Sequence, residues 1–300
     1  MKHPGQTASI VRRTLFESDA IRIGSFDANP RSDACGEVEH QSLNVVVLPF
    51  AGVFSKHDAP GRAVIGTPSH AVFIAANTPY RIGFPGAIGD RSIVLRFDDA
   101  LAADDLDWQR GGEALKSHGL LPAEDMMRRN LLRRLLADPA TDRFEIETLG
   151  LELLNQCLHA LRRESLLLQP AVRLRRMRAV ERAKEAVAVA PADAWNIARL
   201  AMIANLSPFH LCHVFRDLVG TSLYEYVLRE RLAQALHAVL DGGDSMTAIA
   251  LDAGFASHSH FTARFRRFFG CTPAALRRTA SAAKVGELRK IMTARARNQA

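Results

Sequence analysis

The feature that most constrains this chain is a segment that occurs twice. His210-Leu-Cys-His-Val-Phe-Arg-Asp-Leu-Val-Gly-Thr-Ser222 matches His260-Phe-Thr-Ala-Arg-Phe-Arg-Arg-Phe-Phe-Gly-Cys-Thr272 at an offset of 50 residues. His, a bulky apolar residue, Phe, Arg, Gly and Ser/Thr coincide at the same relative positions. A short amphipathic run and a tight turn precede each copy: Ile197-Ala-Arg-Leu-Ala201 leads to Asn205 and Leu206, and Met246-Thr-Ala-Ile-Ala250 leads to Gly254 and Phe255. Two helices that cross steeply through a short turn need a small residue on the first helix, and Ala201 and Ala250 supply it. The turn residue four positions later needs positive φ, which Gly254 takes freely and Asn205 tolerates better than most side chains. A buried apolar residue follows directly. The spacing predicts a helix-turn-helix unit, found twice.

Helix-start signals fix the register. Ser207 reads as an N-cap with Pro208 in the first helical position. Ser222-Leu-Tyr-Glu225 reads as a capping box that opens a long helix to about Leu240, and Thr272-Pro273 repeats the cap-then-proline arrangement. Asp241-Gly-Gly-Asp244 separates the long helix from the second unit. At 1.5 Å per residue that helix is roughly 28 Å long. Two units spaced by such a rod suit successive major grooves on one face of DNA, about 34 Å apart.

The segment from about Val172 to Arg278 resembles the AraC/XylS family of bacterial transcriptional regulators, and Ile249 to Pro273 is close to that family's signature. The resemblance implies a seven-helix DNA-binding domain joined to an N-terminal effector-binding or dimerisation domain. It also implies a cupin-type barrel for Ser42–Asp98. In the first recognition helix the outward positions expected at DNA are Phe209, Cys212, His213 and Arg216. In the second they are Ser257, His258, Ser259, Thr262 and Arg264. Leu211, Phe215, Phe261, Phe265, Phe268 and Phe269 are expected in the core. Arg216 and Arg266 are expected on phosphates, which adds affinity without sequence information. His258 and Ser259 can hydrogen-bond base edges. His210 and His260 can cap, pack or touch phosphate. Cys212 and Ala263 depart from the family, which often has a larger polar or basic reader there, so base recognition is expected to be sparse in the first helix and shifted in the second.

Charge agrees with this placement. The net charge is +7, yet residues 171–300 carry 20 Lys/Arg against 10 Asp/Glu while residues 1–170 carry 19 against 22. The whole positive excess lies in the C-terminal part, as expected of a polyanion-binding region. Cys35, Cys157, Cys212 and Cys271 are scattered, which fits neither a disulfide framework nor a zinc site and suits a reducing cytosol. No apolar run is long enough to cross a membrane, and the first 25 residues lack the apolar middle of a secretion signal. A cytoplasmic, nucleoid-associated protein is expected.

The N-terminal part reads as β. Ser42–Phe50, Arg62–Ile65, Ala71–Ala75, Tyr80–Phe84 and Ser92–Phe97 are short apolar segments between Gly/Pro-rich turns, suggesting a small barrel or sandwich. From Pro122 the period changes to 3.6, with Met126, Met127, Leu131, Leu132, Leu135 and Leu136 on one face and a second amphipathic run from Phe144 to Leu168. These helices are expected to pack together or against a second copy. Gln169-Pro170 and Arg173–Arg178 read as a linker, and residues after Ala280 as a frayed basic tail. The expected class is α+β. The expected divisions are 1–110 for a cupin-like regulatory domain, 111–170 for a helical dimerisation segment, 171–285 for the DNA-binding domain and 286–300 for the tail.

No nucleophile–base pair, phosphate loop or paired carboxylates occur in usable context, so no catalytic residue and no cofactor are expected. Asp98-Asp99 and Asp104-Asp105 read as solvated turn residues. His40, His57 and His70 raise a metal reading, but there is no H-x-H pair and no histidine near Pro79-Tyr-Arg-Ile82; surface histidines without metal are expected. His57 and Arg81 are the candidates for meeting an effector, and Arg81 and Arg91 suit an anionic one or structural pairing equally. The expected partners are double-stranded DNA, an unidentified small-molecule effector, a second copy of the chain and RNA polymerase, with no membrane. The reading is a transcriptional activator with a sensing barrel. The alternatives are a ligand-independent binder whose barrel only dimerises, and a cupin enzyme fused to a DNA-binding domain.

Overall fold

A computed structural model of the chain describes residues 8–59, 62–98, 115–162 and 170–281. Asp99, Asp104, Asp105, the end of the run to Leu168 and the C-terminal tail lie outside the described residues.

The N-terminal half is built from antiparallel strands: β1 Ala8–Glu17, β2 Arg22–Pro30, β3 Asn44–Gly52, β4 Phe54–Ala59, β5 Arg62–Gly66, β6 His70–Ile74, β7 Arg81–Gly83, β8 Asp90–Phe97 and β9 His118–Leu120. Six of them pair in the order β1-β2-β8-β3-β6-β9, and three in the order β5-β4-β7. Ala28, Phe54, Val64, Val72 and Phe84 form a cluster that packs the small sheet on the large one. Pro49 has no N–H to give the ladder, and the β3–β8 register shifts between Pro49 and Ala51.

Nine helices follow among the described residues: α1 Ala123–Ala137, α2 Arg143–Leu161, α3 Pro170–Val189, α4 Ile197–Ala204, α5 Pro208–Val219, α6 Leu223–Asp241, α7 Met246–Asp252, α8 His258–Phe269 and α9 Pro273–Ser281. The last seven correspond to the seven-helix C-terminal region. Residues 170–178, expected as a linker, are instead the first turns of the 20-residue α3. The reason lies just downstream, where Ala179, Val180, Ala183 and Val187 recur at helical spacing and bury against Leu200, Leu211, Val214 and Phe215.

The strands do not close into a barrel. Among the described residues they stay in two sheets, because α3 occupies the position a further strand would take beside β5. Glu181 of α3 accepts the Ile65 N–H at 2.9 Å, satisfying an edge donor with a side chain. On the large sheet, β9 takes the outer edge of β6.

The two halves share one core. A single apolar cluster runs from Ile23, Leu48 and Leu95 through Met126, Leu132, Leu149 and Leu153 to Leu236, Phe261 and Phe269. Helix α1 is its wedge. The fully buried Arg129 donates to the carbonyls of Pro49 and Pro68, the latter at 2.6 Å. Arg134 donates to Leu240 O at 3.2 Å and Ala280 O at 2.8 Å, reaching both α6 and α9. The apolar face of α1 is thereby used up inside the molecule. On α2, Phe144 stands 75% exposed.

Candidate nucleic-acid interface

The two repeats fold alike because the same backbone hydrogen bond closes both turns. Leu206 N–H donates to Ala201 O at 3.0 Å, and Phe255 N–H donates to Ala250 O at 2.9 Å. Ala201 and Ala250 are buried at the crossing points. Asn205 has φ 54° and Gly254 φ 77°. A Cβ on Gly254 would lie 2.7 Å from backbone atoms of Ala192, so glycine is required there for room as well as for conformation. The second turn is longer: α4 ends at Ala204 and α5 starts at Pro208, whereas α7 ends at Asp252 and α8 starts at His258. Ser207 and Ser257 cap the recognition helices α5 and α8, accepting the N–H groups of His210 at 3.3 Å and His260 at 3.1 Å. Gly220 and Gly270 end them in the left-handed region.

Helix α6 joins the units. Ser222 accepts the Glu225 N–H at 3.2 Å, and Tyr226, Leu232, Leu236 and Val239 are buried along its length. Arg231, near its middle, ties both units to one frame. Its guanidinium donates to Pro191 O at 2.8 Å, Asp193 O at 2.8 Å and Gly254 O at 3.0 Å. The loop leading into the first unit and the turn of the second are therefore held by one side chain. Arg182 and Arg277 act likewise at helix ends, on Ala204 O at 2.6 Å and Val239 O at 2.9 Å.

The outward faces differ in chemistry. On α5, Phe209, His210, His213 and Arg216 are exposed, Phe209 by 85%. His213 lies 3.3 Å from Asp217, which sets a carboxylate beside Arg216. Cys212 is half-buried and packs on the core of the first unit, so its thiol faces inward more than a base reader should. On α8, Ser257, His258, Ser259, His260 and Arg266 are exposed, Thr262 and Arg264 half-buried. His258 lies 3.2 Å from Thr262 Oγ1. Arg264 donates to His260 at 3.3 Å and lies 5.9 Å from the Tyr224 ring, while His260 meets Phe255 edge-on at 5.6 Å. His260 and Arg264 thus lean toward the turn and α6. Arg267, not anticipated from sequence, is exposed beside Arg266. Leu211, Phe215, Phe261, Phe265 and Phe269 are buried and Phe268 is half-buried. Helix α8 carries Arg264, Arg266 and Arg267 with no acidic residue, so the second unit offers the stronger cationic face.

In the sheet half, His40 is exposed and His57 is half-buried with Nε2 2.9 Å from Ser55 Oγ. Arg81 is exposed opposite His57 in the β4–β7 register. Arg91 is paired across the halves, donating to His237 Nε2 of α6 at 2.9 Å. His70 is not a surface residue. It is fully buried with Nδ1 2.8 Å from Thr67 Oγ1, because α6 packs directly over this end of the sheet. Among the described residues no group of three or more His, Cys, Asp or Glu could hold a metal ion. An open-sided pocket lies between the sheets. It is lined by Arg12, Asp90, Tyr80 and Arg96, none of which the sequence singled out, and not by His57 or Arg81. Asp98 is exposed.

A buried polar seam links the halves. Ser69 donates to Glu230 of α6, and Lys184 of α3 donates to Glu181 at 2.8 Å and to His118 of β9 at 2.8 Å. Burial, then Lys184, holds the His118 pKa down to about 4. Burial raises the Glu230 carboxyl, with its hydrogen bond from Ser69 acting the other way. Burial alone would raise Glu181 too, but Lys184 and His118 outweigh it and leave that carboxyl below its ordinary value.

Comparison with known proteins meets the chain at this C-terminal region. A family described as a helix-turn-helix domain matches residues 200–279. "Probable transcription factor PqrA" of Proteus vulgaris is 37% identical over 82 residues, which are 27% of this chain and 67% of that protein. The "Virulence regulon transcriptional activator VirF" of Yersinia enterocolitica is 33% identical over 85 residues, 28% of this chain and 31% of VirF; the chain therefore spans about a third of that relative's length. The crystal structure of the DNA-binding domain of AdpA, in complex with a target DNA, is 27% identical, covering 34% of this chain and 96% of that one at a TM-score of 0.32. With its paired helix-turn-helix units matched by sequence and duplicated in geometry, the chain belongs to the AraC family of transcriptional regulators.

Proposed function

We propose that the chain is a sequence-specific DNA-binding transcriptional regulator that applies both helix-turn-helix units to one face of a duplex. The observation that carries this reading is the common mounting of two like units: α6 spans them and Arg231 bonds to the loop before one and the turn of the other. Phe209, His210, His213 and Arg216 of α5 and Ser257, His258, Ser259, Thr262, Arg266 and Arg267 of α8 form the contact surface. Arg216, Arg266 and Arg267 neutralise phosphates, while His258 and Ser259 read base edges. His260 and Arg264 position α8, and Cys212 contributes packing.

The two-sheet half, roughly residues 1–110, acts as a cupin-like sensor of a small molecule and works by binding rather than catalysis. Residues 111–170 link it to the DNA-binding part, 171–285, and the outer row of α2 supplies the contact in a homodimer. An effector acts by favouring one arrangement of the seam between sheets and α6. The names of relatives such as VirF favour an activator, which contacts RNA polymerase in the bacterial cytoplasm. Selection of bound sequences from a random duplex pool tests the reading. Two short enriched blocks are expected, and a pool that remains unenriched would overturn it.

A further inference from the structure

The proposed contact surface leaves out the arginines that open α3. Arg175, Arg176 and Arg178 stand in the first half of this helix, and Arg182 follows one turn later. The acid among them, Glu181, is buried and bonded to Ile65 N–H and Lys184, so it does not balance them. The first turn of α3 holds no acidic residue and the last turn no basic one. A helix gains from the opposite arrangement, because its N-terminus carries partial positive charge and its C-terminus partial negative charge. Helix stability therefore does not account for where these cations stand.

Arg182 shows which way the row points. The spacing i, i+3, i+7 puts Arg175, Arg178 and Arg182 on one face of α3. Arg182 donates to Ile203 O at 3.2 Å and to Ala204 O at 2.6 Å, so the end of α4 lies beside it. Trp195 Nε1 donates to Ala190 O at 2.8 Å, which holds the start of α4 near the end of α3. Helix α4 thus runs back along α3, and the turn after it leads on toward the first half of α3. Ala179, Val180 and Ala183 share a core there with Ala204 and Leu211 of the first unit. Arg178 and Arg175 stand about 6 Å and about 10 Å beyond Arg182 along the helix axis, on the side toward which the turn runs. Both are exposed. Arg175 makes no hydrogen bond or ion pair among the described residues.

A helix-turn-helix unit presents the N-terminal residues of its second helix to the base edges, which places the turn and the start of α5 beside the duplex. The arginine row continues from that turn, so it meets the sugar-phosphate backbone next to the bases that α5 reads. The row holds three arginines and no apolar residue. A protein partner would be centred on aromatic or aliphatic anchors, which this face lacks. Phosphates ask only for cations, and the guanidinium fork matches their geometry.

We infer that α3 is a third DNA-binding element, in which Arg175 and Arg178 bind phosphates adjoining the block read by α5 and add affinity without sequence preference. The inference rests on the two-unit DNA-binding reading and extends it to a helix that belongs to neither unit.

Anisotropy titration of the full chain with its selected duplex, over about 0.05 to 0.3 M KCl, tests it. Arg175→Gln/Arg178→Gln should flatten the slope of log affinity against log salt by about 1.8, two phosphates at roughly 0.9 each, and weaken binding at least tenfold at about 0.1 M. Arg175→Lys/Arg178→Lys keeps both charges and should retain the parent's slope, which separates lost charge from a lost fold. Arg31→Gln/Arg62→Gln removes the same charge from exposed positions of the sheet half and should leave the slope unchanged. Phosphate-ethylation interference should lose a signal adjoining one block in the Gln variant and keep the signals within both blocks. The sequences enriched from a random pool should be the parent's. An unchanged slope in the Gln variant, an equal loss in the sheet-half control, or an interference pattern identical to the parent's would overturn the inference and leave the two-unit reading in place. A parent chain that binds no duplex would overturn both.

Discussion

Lys184 Nζ on α3 lies 2.8 Å from His118 Nε2 on β9, and this contact joins the helix that backs the first helix-turn-helix unit to the edge of the large sheet. An ammonium can donate only to an unprotonated ring nitrogen, so the contact needs a neutral imidazole. The enclosure of the pair and the nearby Lys184, Lys56 and Lys116 hold His118 to about 4, with Glu181 pulling the other way. A folded-state pKa below the ordinary 6.5 means stability that is fully present above about 6.5 and is lost as pH falls through about 4. Glu181, also held low, adds a loss in the same direction below its ordinary 4.5. Glu230, held high, has the opposite sense and loses its contribution as pH rises. The diagnostic quantity is therefore a difference between proteins. His118→Gln should flatten the dependence of melting temperature on pH between 6.5 and 4 relative to the parent; parallel profiles would show that His118 does not carry it.

Asp90 predicts a second, separate pH window. Burial raises its carboxyl from 3.8 to about 7, so its contribution is present below about 4 and lost as pH rises through about 7. Asp90→Asn keeps an acceptor for the Ser92 hydroxyl, which donates to it at 2.5 Å, and removes the titration. The variant should gain stability over the parent between pH 7 and 9 and show little difference at pH 4. A variant less stable than the parent at pH 9 would contradict the assignment.

Arg231→Ala strips three backbone carbonyls of a charged donor. At roughly 1.5–3 kcal/mol for each hydrogen bond to a charged group, with solvent replacing part of it at this half-buried site, a loss of about 2–4 kcal/mol is expected. Its distinctive effect should be on DNA: affinity for a two-block site should fall at least tenfold, while affinity for a duplex carrying only the second unit's block changes little. Titration of both duplexes with each protein reads the difference.

The two turn residues should respond oppositely. Gly254→Ala puts a Cβ 2.7 Å from Ala192 backbone at φ 77°, and should cost more than the roughly 1–2 kcal/mol of left-handed strain alone. Asn205→Gly relieves a side chain already at φ 54° and should change stability by less than about 1 kcal/mol. Denaturant midpoints check both.

How much of this was legible in the sequence depends on the range of the interaction involved. The helix-turn-helix units were readable to the residue because their determinants are local: Ala201, Asn205, Ser207 and their counterparts act within one turn of the chain. Strand β1, and with it its partner β2, was missed because its residues come in like pairs, Ile10-Val11, Arg12-Arg13 and Leu15-Phe16, along an exposed edge, which breaks the period-2 alternation that marks a strand. The short strands allowed a barrel or a sandwich, and the resemblance favoured the barrel; the bond from Ile65 N–H to Glu181 at the edge of the small sheet spans 116 residues and could not be read locally. Distance also hid the burial of His70 under α6 and the meeting of Arg12, Asp90 and Arg96 in one pocket. His57 and Arg81 drew notice as chemistry-bearing residues in turns and short strands, and no periodicity could have shown that they face away from that space.

The claim on which the rest depends is that both units grip one face of one double helix. Footprinting of the full chain on its selected site, followed by affinity measurement after insertion of five base pairs between the protected blocks, tests it most directly. Two protected major-groove segments about one helical turn, roughly 34 Å, apart are expected, with affinity lowered by about two orders of magnitude when the insertion rotates one block to the opposite face. A single protected segment, or affinity indifferent to the five-base-pair insertion, would contradict the account.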